Sequence, residues 1–493
     1  MQMKRRDFLK AVGAGLCLTA GGYGSNAAAN ASRKPNIILV MADDQGWGDV
    51  GYYRHPFVKT PNLDEMAAVS LRFDRFYAGA PVCSPTRANV LTGRNPNRCN
   101  VLNHGRSYRP QEITIAEALK TAGYATGHFG KWHVGSVQKT SPVNPSNSGF
   151  DEWLSSPNYF DLDPLLSRNG VAVQCKGESS MITVDAAIEF IRTNAQASKP
   201  FLALVWFGSP HDPHRALPED SDLYQGRQSQ GYYAEITAMD RAFGKLRREL
   251  RALDIQDNTI LWYCSDNGGL VDASSGGRAK KASIYEGGLR VPGIVEWPAR
   301  IRRPSICNIP SGTMDIYPTL LDIVGVKMEN QPPLDGISLV DVFDGKMTKR
   351  PKPIGFWFNL GTGRLTYSDR ILRALMEAQK KGEEVGDRER LDLDAGEITQ
   401  QYPEDSFPGH AAWLDWPWKL HRIQRPFAGA RAGAGEPSLV LELYNLAQDP
   451  NEEKDLADEQ PERVKSMRSQ LEQWQVSVIR SLNGKDYPAT TSP

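Results

Sequence analysis

Apolar runs of strand length alternate with amphipathic helical stretches along residues 36–324. Residues 36–41, 201–207 and 259–264 are almost continuously apolar, which is typical of central strands buried on both faces of a sheet. Shorter apolar runs predict further strands over residues 124–129 and 293–297. Because helical stretches lie between the strands, the pattern predicts an α/β fold with a parallel sheet covered on both faces.

Four helices are predicted between and after these strands. Their apolar residues recur at helical spacing, which is typical of helices that pack one face on a sheet. Gly123 follows the first of them in the manner of a C-terminal cap. The predicted helices cover residues 113–121, 181–193, 232–253 and 314–324.

Polar motifs come directly after four of the predicted strands. Ligands of parallel α/β sheets bind beyond the carboxyl ends of the strands, so we expect these motifs to converge on one pocket. The side chains placed there are Asp43, Asp44, Lys131, His133, His211, Asp266 and Asn267.

Residues 351–493 are interpreted as a smaller C-terminal domain that follows a main domain of residues 32–350. Short aromatic strands are predicted over residues 413–423 and 439–446. The polar stretch 361–410, with one predicted helix over residues 369–381, is interpreted as an insertion. A final helix is predicted from the apolar stripe of Val464, Met467, Leu471, Trp474 and Val478.

The charge balance excludes some classes of partner. The chain has 58 Lys and Arg against 58 Asp and Glu, so no global charge favours nucleic acid or an anionic membrane. Beyond the N-terminal segment, no apolar run approaches the length of a membrane span. We therefore expect no transmembrane segment in the mature chain.

Residues 1–31 are interpreted as an export signal. The basic segment Lys4-Arg5-Arg6 precedes a weakly apolar run rich in Gly and Ala, and it resembles a twin-arginine signal. An ordinary basic signal-peptide segment is the alternative. Small residues in an A-x-A pattern place cleavage after Ala29 or Ala31. The segment predicts a bacterial protein that is periplasmic or secreted.

The mature chain would keep five of the six cysteines, since Cys17 lies in the signal. An odd number argues against a full disulfide framework. If one cysteine is modified, one or two bridges can form, and the sequence does not determine their pairing. The five are Cys83, Cys99, Cys175, Cys264 and Cys307.

The motif Cys83-Ser84-Pro85-Thr86-Arg87 joins an oxidisable side chain, a rigid turn and a permanent cation. By itself it is compatible with a thiol nucleophile, which needs a positioned base, or with an inert buried cysteine. Leu91-Thr92-Gly93-Arg94 follows at a fixed interval, and Gly123-Tyr124 leads to Gly130-Lys131-Trp132-His133. Together these motifs resemble the two signatures of the type I sulfatases, members of the alkaline phosphatase superfamily.

The resemblance implies a fold and a reaction. The fold is an alkaline phosphatase-like α/β/α sandwich with a central, mostly parallel sheet, followed by a small C-terminal α+β subdomain with an antiparallel sheet. The reaction is that of a sulfuric ester hydrolase of the arylsulfatase or N-acetylgalactosamine-6-sulfatase type. In that family a maturation enzyme, either formylglycine-generating or anaerobic sulfatase-maturing, oxidises the cysteine to formylglycine. The hydrated aldehyde then supplies the nucleophilic oxygen.

The metal site would be formed by oxygen ligands. Asp43, Asp44, Asp266 and Asn267 would hold one divalent cation together with the modified Cys83. Carboxylate and amide oxygens favour calcium or magnesium over zinc, and the resemblance favours calcium over magnesium.

The resemblance also implies roles for cationic residues and histidines. Arg87 would stabilise the modified side chain, and Lys131 and Lys281 would contact the sulfate oxygens. Family spacing, with the lysine five residues before the glutamate of Glu286-Gly287-Gly288, selects Lys281 over Lys280.

His133 would help to deprotonate the nucleophile, and His211 would be the acid for the leaving alcohol. His104, just after the first signature, is a candidate for lining the substrate pocket, with a structural role as the alternative, and His214 is a candidate for the substrate side or for supporting the catalytic residues.

The expected substrate is a sulfated sugar or an aryl sulfate, and among sugars we expect sulfated galactose or N-acetylgalactosamine units. Two alternatives stay open from the sequence. One is a phosphate or phosphonate ester hydrolase of the same superfamily, against which the single-metal ligand set argues. The other is a non-catalytic protein that binds sulfated glycans.

Overall fold

The computed structural model describes residues 34–358, 360–383, 391–392, 395–398, 401–425 and 438–488. The predicted export signal lies outside these residues, as does part of the predicted insertion over residues 361–410. Within the described ranges, no helix has both the length and the apolar character needed to cross a membrane.

The strands of the described chain form three sheets. They are β1 Asn36–Ala42, β2 Leu71–Phe73, β3 Phe76–Tyr77, β4 Ala125–Lys131, β5 Glu152–Ser156, β6 Leu165–Arg168, β7 Val171–Gln174, β8 Phe201–Trp206, β9 Thr259–Ser265, β10 Arg290–Val291, β11 Gly293–Glu296, β12 Ser305–Cys307, β13 Ser311–Gly312, β14 Ile354–Phe358, β15 His410–Asp415, β16 Trp418–Arg425 and β17 Ser438–Asn445.

The helices alternate with the strands of the main sheet in the way that the sequence pattern predicts. They are α1 Pro61–Val69, α2 Cys83–Thr92, α3 Ile115–Lys120, α4 Ser179–Gln196, α5 Pro218–Ser221, α6 Gln230–Ala252, α7 Glu286–Leu289, α8 Ile316–Val324, α9 Val340–Phe343, α10 Ser368–Lys380 and α11 Pro461–Leu482.

The main sheet has ten strands in the order β12-β2-β11-β9-β1-β8-β4-β5-β6-β7. Its central strand β1 pairs in parallel with β8 on one side and with β9 on the other. β4 pairs in parallel with β8, and β5 with β4. Antiparallel pairs occur towards the edges, where β11 joins β9 and β6 joins β5. The predicted α/β class with a mostly parallel sheet is confirmed.

The continuous apolar run of β1 reflects burial on both faces. Ile38 and Val40 pack into a core that includes Val184 of α4 and Phe243 of α6. Ile37 and Leu39 belong to a second core, on the other face, with residues of α2, α3 and α8. Because successive strand residues point to opposite faces, only a strand covered on both sides needs every position to be apolar.

One of the strand boundaries that differ from the prediction changes the position of a site residue. The strand expected over residues 124–129 extends to Lys131 as β4. Its last residues pair with β5, with Lys131 beside Ser156. Lys131 therefore projects from the end of the strand and not from the loop beyond it.

The C-terminal sheet is antiparallel, as expected, with the order β14-β15-β16-β17. The stretch expected as one strand over residues 413–423 is two strands, because a turn at Trp416-Pro417 separates β15 from β16. Proline fixes φ and lacks the N–H that a continuing ladder needs. β14, which the sequence pattern did not predict, forms the first edge of this sheet, and the predicted final helix is present as α11.

Three arginines that follow α2 connect this part of the main domain to the C-terminal helix α11 and to the residues just after it. Arg98 binds Asp335 at 2.8 Å and donates to the Ser477 carbonyl. Arg109 donates to the Leu482 carbonyl at 2.6 Å. Arg94 of the Leu-Thr-Gly-Arg motif pairs with Glu112 at 2.5 Å and with Asp486. This arginine therefore holds the fold together away from the expected pocket.

All five cysteines of the described residues are free. The possibility of one or two disulfide bridges, which the sequence left open, is not realised in this structure.

Candidate active site

Helix α2 begins at Cys83 and is buried along its entire length. The sequence predicted a rigid turn here, and the structure corrects this to the first turn of a helix. Pro85 is compatible with that turn because the first N–H groups of a helix have no intrahelical acceptor. Arg87 lies one turn after Cys83 on the same face. The thiol of Cys83 therefore sits at a helix N-terminus, where partial positive charge favours an anionic group.

Arg87 pairs with carboxylates that follow two central strands. Its Nη2 lies 2.6 Å from Asp266 Oδ2 and 3.7 Å from Asp43 Oδ1, and all three side chains are fully buried. Arg87 also donates to the Lys131 carbonyl at 2.9 Å. The signature helix is thereby held against the carboxyl ends of β1, β9 and β4.

The two predicted active-site lysines contact the adjacent carboxylates Asp43 and Asp44. Lys131 Nζ lies 2.6 Å from Asp43 Oδ2, and Lys281 Nζ lies 2.6 Å from Asp44 Oδ2. Lys280 points elsewhere, with its Nζ 3.7 Å from Asp272 in an exposed pair. Burial would raise the pKa of Asp44, but Lys281 and other positive neighbours hold it well below its usual range.

The remaining predicted metal ligands complete an oxygen-rich cluster. Ligand atoms of Asp43, Cys83 and Asp266 lie within 4.8 Å of one another. Asn267 donates from Nδ2 to Asp44 Oδ1 at 2.7 Å. Burial, with Asp43 as a like-charged neighbour, raises the pKa of Asp266 to about 7. Carboxylates crowded in this way are stabilised by a nearby cation.

Two buried oxygens of this cluster support a cation site. Asp43 Oδ1 and Asn267 Oδ1 are inaccessible to solvent and accept no hydrogen bond from the residues that the structure describes. Buried polar atoms are rarely left without a partner. A hard divalent cation would satisfy both oxygens, so the donor set fits calcium or magnesium.

His133 follows β4 in a left-handed conformation, with φ of 57° and only 4% of its surface exposed. Neither of its ring nitrogens has a hydrogen-bond partner among the described residues. Burial, followed by the charges of Lys131 and Arg87, lowers the pKa of His133 well below its usual value. A neutral imidazole with free nitrogens is suited to accept a proton.

His211 faces the same cluster. Its Nε2 lies 3.8 Å from Asp44 Oδ2, and its Nδ1 lies 2.6 Å from the Asp212 carbonyl oxygen. The ring stacks on Tyr159 with 4.6 Å between centroids. Burial lowers the pKa of His211 to about 4, although the negative charge of Asp44 acts to raise it. An anionic ester bound beside this ring would raise that pKa.

The two weaker candidates lie in different places. The Nδ1 of His104 lies 3.0 Å from Asn103 Oδ1, and burial, followed by the charges of Lys281 and Lys131, lowers the pKa of His104. His214 packs against the ring of Tyr232, with 5.5 Å between centroids.

Two features of the site were missed by sequence reasoning. Tyr159 stacks on His211 but follows β5, a short strand that was not predicted. Residues 361–367, assigned to an insertion, border His104 through a hydrogen bond from Arg364 N to the His104 carbonyl at 2.9 Å. The only sequence signal for Tyr159 was its place after Ser156-Pro157-Asn158, a strand end of the kind that carries the other site residues.

Comparison with known proteins identifies the class. The sulfatase family model matches residues 35–326. An N-acetylgalactosamine-6-sulfatase from Canis lupus familiaris is 33% identical over 68% of this chain and 70% of its own length. An ulvan-active sulfatase from Formosa agariphila is 30% identical over 65% of this chain and 66% of its own length.

The fold agrees with this match. A crystal structure of Ps i-CgsB in complex with k-i-k-neocarrahexaose superposes with a TM-score of 0.72 at 24% identity, covering 92% of this chain and 98% of that one. The sequence match places the chain in the alkaline phosphatase superfamily, and the sheet order agrees with that fold. The chain belongs to the sulfatase family, as a type I sulfatase, and the predicted class of sulfuric ester hydrolase is confirmed.

Proposed function

We propose that this sulfatase hydrolyses sulfate monoesters of sulfated carbohydrate, with a formylglycine made from Cys83 and a bound calcium ion. The observation that carries the proposal is the position of Cys83. It lies at the buried start of α2, and its ligand atom is within 4.8 Å of those of Asp43 and Asp266. Arg87 pairs with Asp266, Lys131 with Asp43 and Lys281 with the adjacent Asp44.

The modified side chain and the cation would supply a hydrated-aldehyde oxygen nucleophile and positive charge beside it. Asp43, Asp44, Asp266 and Asn267 would hold the cation, and the residue at position 83 would complete its ligands. Magnesium is the alternative ion for the same oxygen set.

The protein's own cations and histidines would carry out the rest of the reaction. Lys131 and Lys281 are placed to bind the sulfate oxygens, and preorganised charges of this kind stabilise a transition state. His133, neutral and without a hydrogen-bond partner among the described residues, would take the proton from the nucleophile. His211, on the open side of the cluster, would give a proton to the departing alcohol.

The similarity to carbohydrate sulfatases supports a sugar ester as the substrate. The relatives are named for N-acetylgalactosamine 6-sulfate and ulvan, and both are sulfated carbohydrates. The basic segment at the N-terminus supports export to the periplasm or the medium, where such polymers occur. A formylglycine-generating or anaerobic sulfatase-maturing enzyme would be a necessary partner.

The test compares sulfate and phosphate esters of the same alcohols. Protein produced together with a maturation enzyme is assayed on sulfated and phosphorylated N-acetylgalactosamine and on 4-nitrophenyl sulfate and phosphate. We expect preferential hydrolysis of the sulfate esters and no turnover by Cys83→Ala. A clear preference for phosphate would overturn the proposal in favour of the phosphoester hydrolase alternative.

A further inference from the structure

Residues 361–367 run along one side of the active site, where they follow the backbone that carries His104. Asn103 Nδ2 donates to the Gly361 carbonyl at 2.9 Å, and Arg106 Nε donates to the Thr362 carbonyl at 3.0 Å. A Cβ added at Gly363 would lie 2.0 Å from His104 Cε1. The segment is therefore in direct contact with the His104 imidazole.

The far end of the same segment is attached beside His211. Asn158 Nδ2 donates to the Thr366 carbonyl at 2.9 Å, and Asn158 N donates to Ser368 Oγ at 3.0 Å. The next residue, Tyr159, stacks on the His211 ring. The 361–367 segment thus extends from one active-site histidine to the other and borders the site between them.

This border carries apolar side chains that face solvent. Leu365 is 63% exposed and is the most exposed large hydrophobic side chain of the described residues, and Tyr367 is 45% exposed. Tyr367 lies between Thr366 and Ser368, both of which are bonded to Asn158, the residue before Tyr159. Exposed apolar groups beside a polar site are typical of surfaces that contact a ligand.

With His211 as the acid of the proposed reaction, the leaving group would lie on this side. His211 is the residue placed to protonate the ester oxygen, Tyr159 stacks on its ring, and the 361–367 segment is bonded to Asn158, the residue before Tyr159. A tyrosine ring can pack on the apolar C–H face of a sugar while its hydroxyl bonds a sugar hydroxyl. A small planar aryl group reaches less of such a surface.

We propose that the 361–367 segment is the wall that contacts the sugar ring bearing the sulfate ester, with Tyr367 and Leu365 as specificity-determining residues. The occupant is a sulfated pyranose within a larger saccharide. This inference rests on the proposed hydrolysis of sulfated carbohydrate and adds which part of the chain selects the sugar.

The experiment compares two substrates for each variant. Mature wild-type protein, Tyr367→Ala, Leu365→Ala and the control Leu439→Ala are assayed for kcat and KM on 4-nitrophenyl sulfate and on sulfated N-acetylgalactosamine and galactose oligosaccharides. Leu439 is 41% exposed on β17, outside the active site. The Leu439→Ala substitution therefore removes an exposed apolar side chain similar to that of Leu365. Thermal unfolding of each variant checks that the fold is kept.

We expect kcat/KM for the saccharide to fall by about tenfold in Tyr367→Ala, mainly through KM, and by less than about threefold for the aryl ester. Leu365→Ala should show a smaller change in the same direction, and Leu439→Ala should match the wild type on both substrates. Equal losses on both esters, or no loss on the saccharide, would overturn the inference and leave the proposed function standing. A wild-type enzyme that hydrolyses the aryl ester but none of the saccharides would instead overturn the carbohydrate assignment and this inference with it.

Discussion

The Arg87 guanidinium lies 2.6 Å from the Asp266 carboxylate, and both side chains are fully buried. This ion pair joins the signature helix α2 to the carboxyl end of β9. Because Arg87 lies one helical turn after Cys83, the pair also fixes residue 83 beside the carboxylates of the metal site.

Arg87→Gln would leave Asp266 without its buried cation and would remove the weaker of the two cations beside Asp43, which keeps Lys131. We expect the free energy of unfolding to fall by about 3–5 kcal/mol, since loss of one partner strands a buried charge. We expect kcat/KM to fall by at least about a hundredfold. Urea unfolding and steady-state kinetics measure the two effects.

Arg192→Gln provides a matched control for this variant. Arg192 also pairs with a carboxylate at 2.6 Å, that of Glu249, but its side chain is 55% exposed. Water already solvates such a pair, so its loss should change stability little. Comparable destabilisation in the two variants would show that burial does not set the strength of the Arg87 pair.

Lys281→Met and Lys280→Met should differ sharply in activity. Lys281 Nζ contacts Asp44 in the site, whereas Lys280 lies beside the exposed Asp272. Loss of one charge aimed at the sulfate should lower kcat/KM about a hundredfold or more. The neighbouring substitution should leave kcat/KM within about twofold, because exposed pairs contribute little. If Lys280→Met lowered kcat/KM more than Lys281→Met, Lys280 and not Lys281 would be the active-site lysine.

Removal of divalent cations should inactivate and destabilise the protein. Without a cation, Asp43, Asp44 and Asp266 repel one another. Binding of an ion to the folded state raises the free energy of unfolding by about 2.7 kcal/mol when the free ion is at a hundredfold excess over Kd. After treatment with a chelator, we expect a lower Tm that calcium restores. Asp266→Asn should lose most of the response to calcium. A Tm that is indifferent to chelation and to calcium would argue against a bound ion.

Asp335, which lies away from the active site, should make the stability of the protein depend on pH. Burial opposes ionisation, but Arg98, Asn95 N and Trp474 Nε1 lower the pKa of Asp335 to about 2. A carboxyl whose pKa is depressed on folding stabilises the protein above its unfolded pKa of about 3.9, and this contribution is lost as pH falls towards the folded value. Asp335→Asn should therefore cost about 2 kcal/mol at pH 7.

The difference in unfolding free energy between wild type and Asp335→Asn should shrink as pH falls from 5 to about 3. Urea unfolding of both proteins over this pH range measures the difference. The contacts that lower the pKa of Asp335 lie where residues 95–98 meet α11. A difference that stays constant with pH would mean that Asp335 acts through packing and not through its charge.

The sequence was most informative where burial is complete. β1, β8 and β9 are covered on both faces, so their apolar runs are continuous and their position in the sheet could be predicted. The motifs at the ends of these strands and of β4 were then expected to meet, and Asp43, Lys131, His211 and Asp266 do lie together. The helical start at Cys83 was missed because α2 is buried on all sides and has no amphipathic period.

The wall of the site could not be predicted for a different reason. The contact between Asn103 and Gly361 joins residues 258 positions apart, and the contact between Asn158 and Thr366 joins residues 208 positions apart. Each is a single side-chain bond to a backbone carbonyl, and no local pattern of residues encodes it. A polar stretch with such partners has the same composition as a surface insertion.

Mass spectrometry of the peptide that contains Cys83 is the most direct test of the account. The protein is produced with a maturation enzyme, and the mass of the peptide is compared with that from protein made without one. We predict that the thiol is converted to an aldehyde and that sulfatase activity rises with the converted fraction. An unmodified thiol, in protein made with a maturation enzyme that converts a known substrate in the same cells, would contradict the formylglycine mechanism.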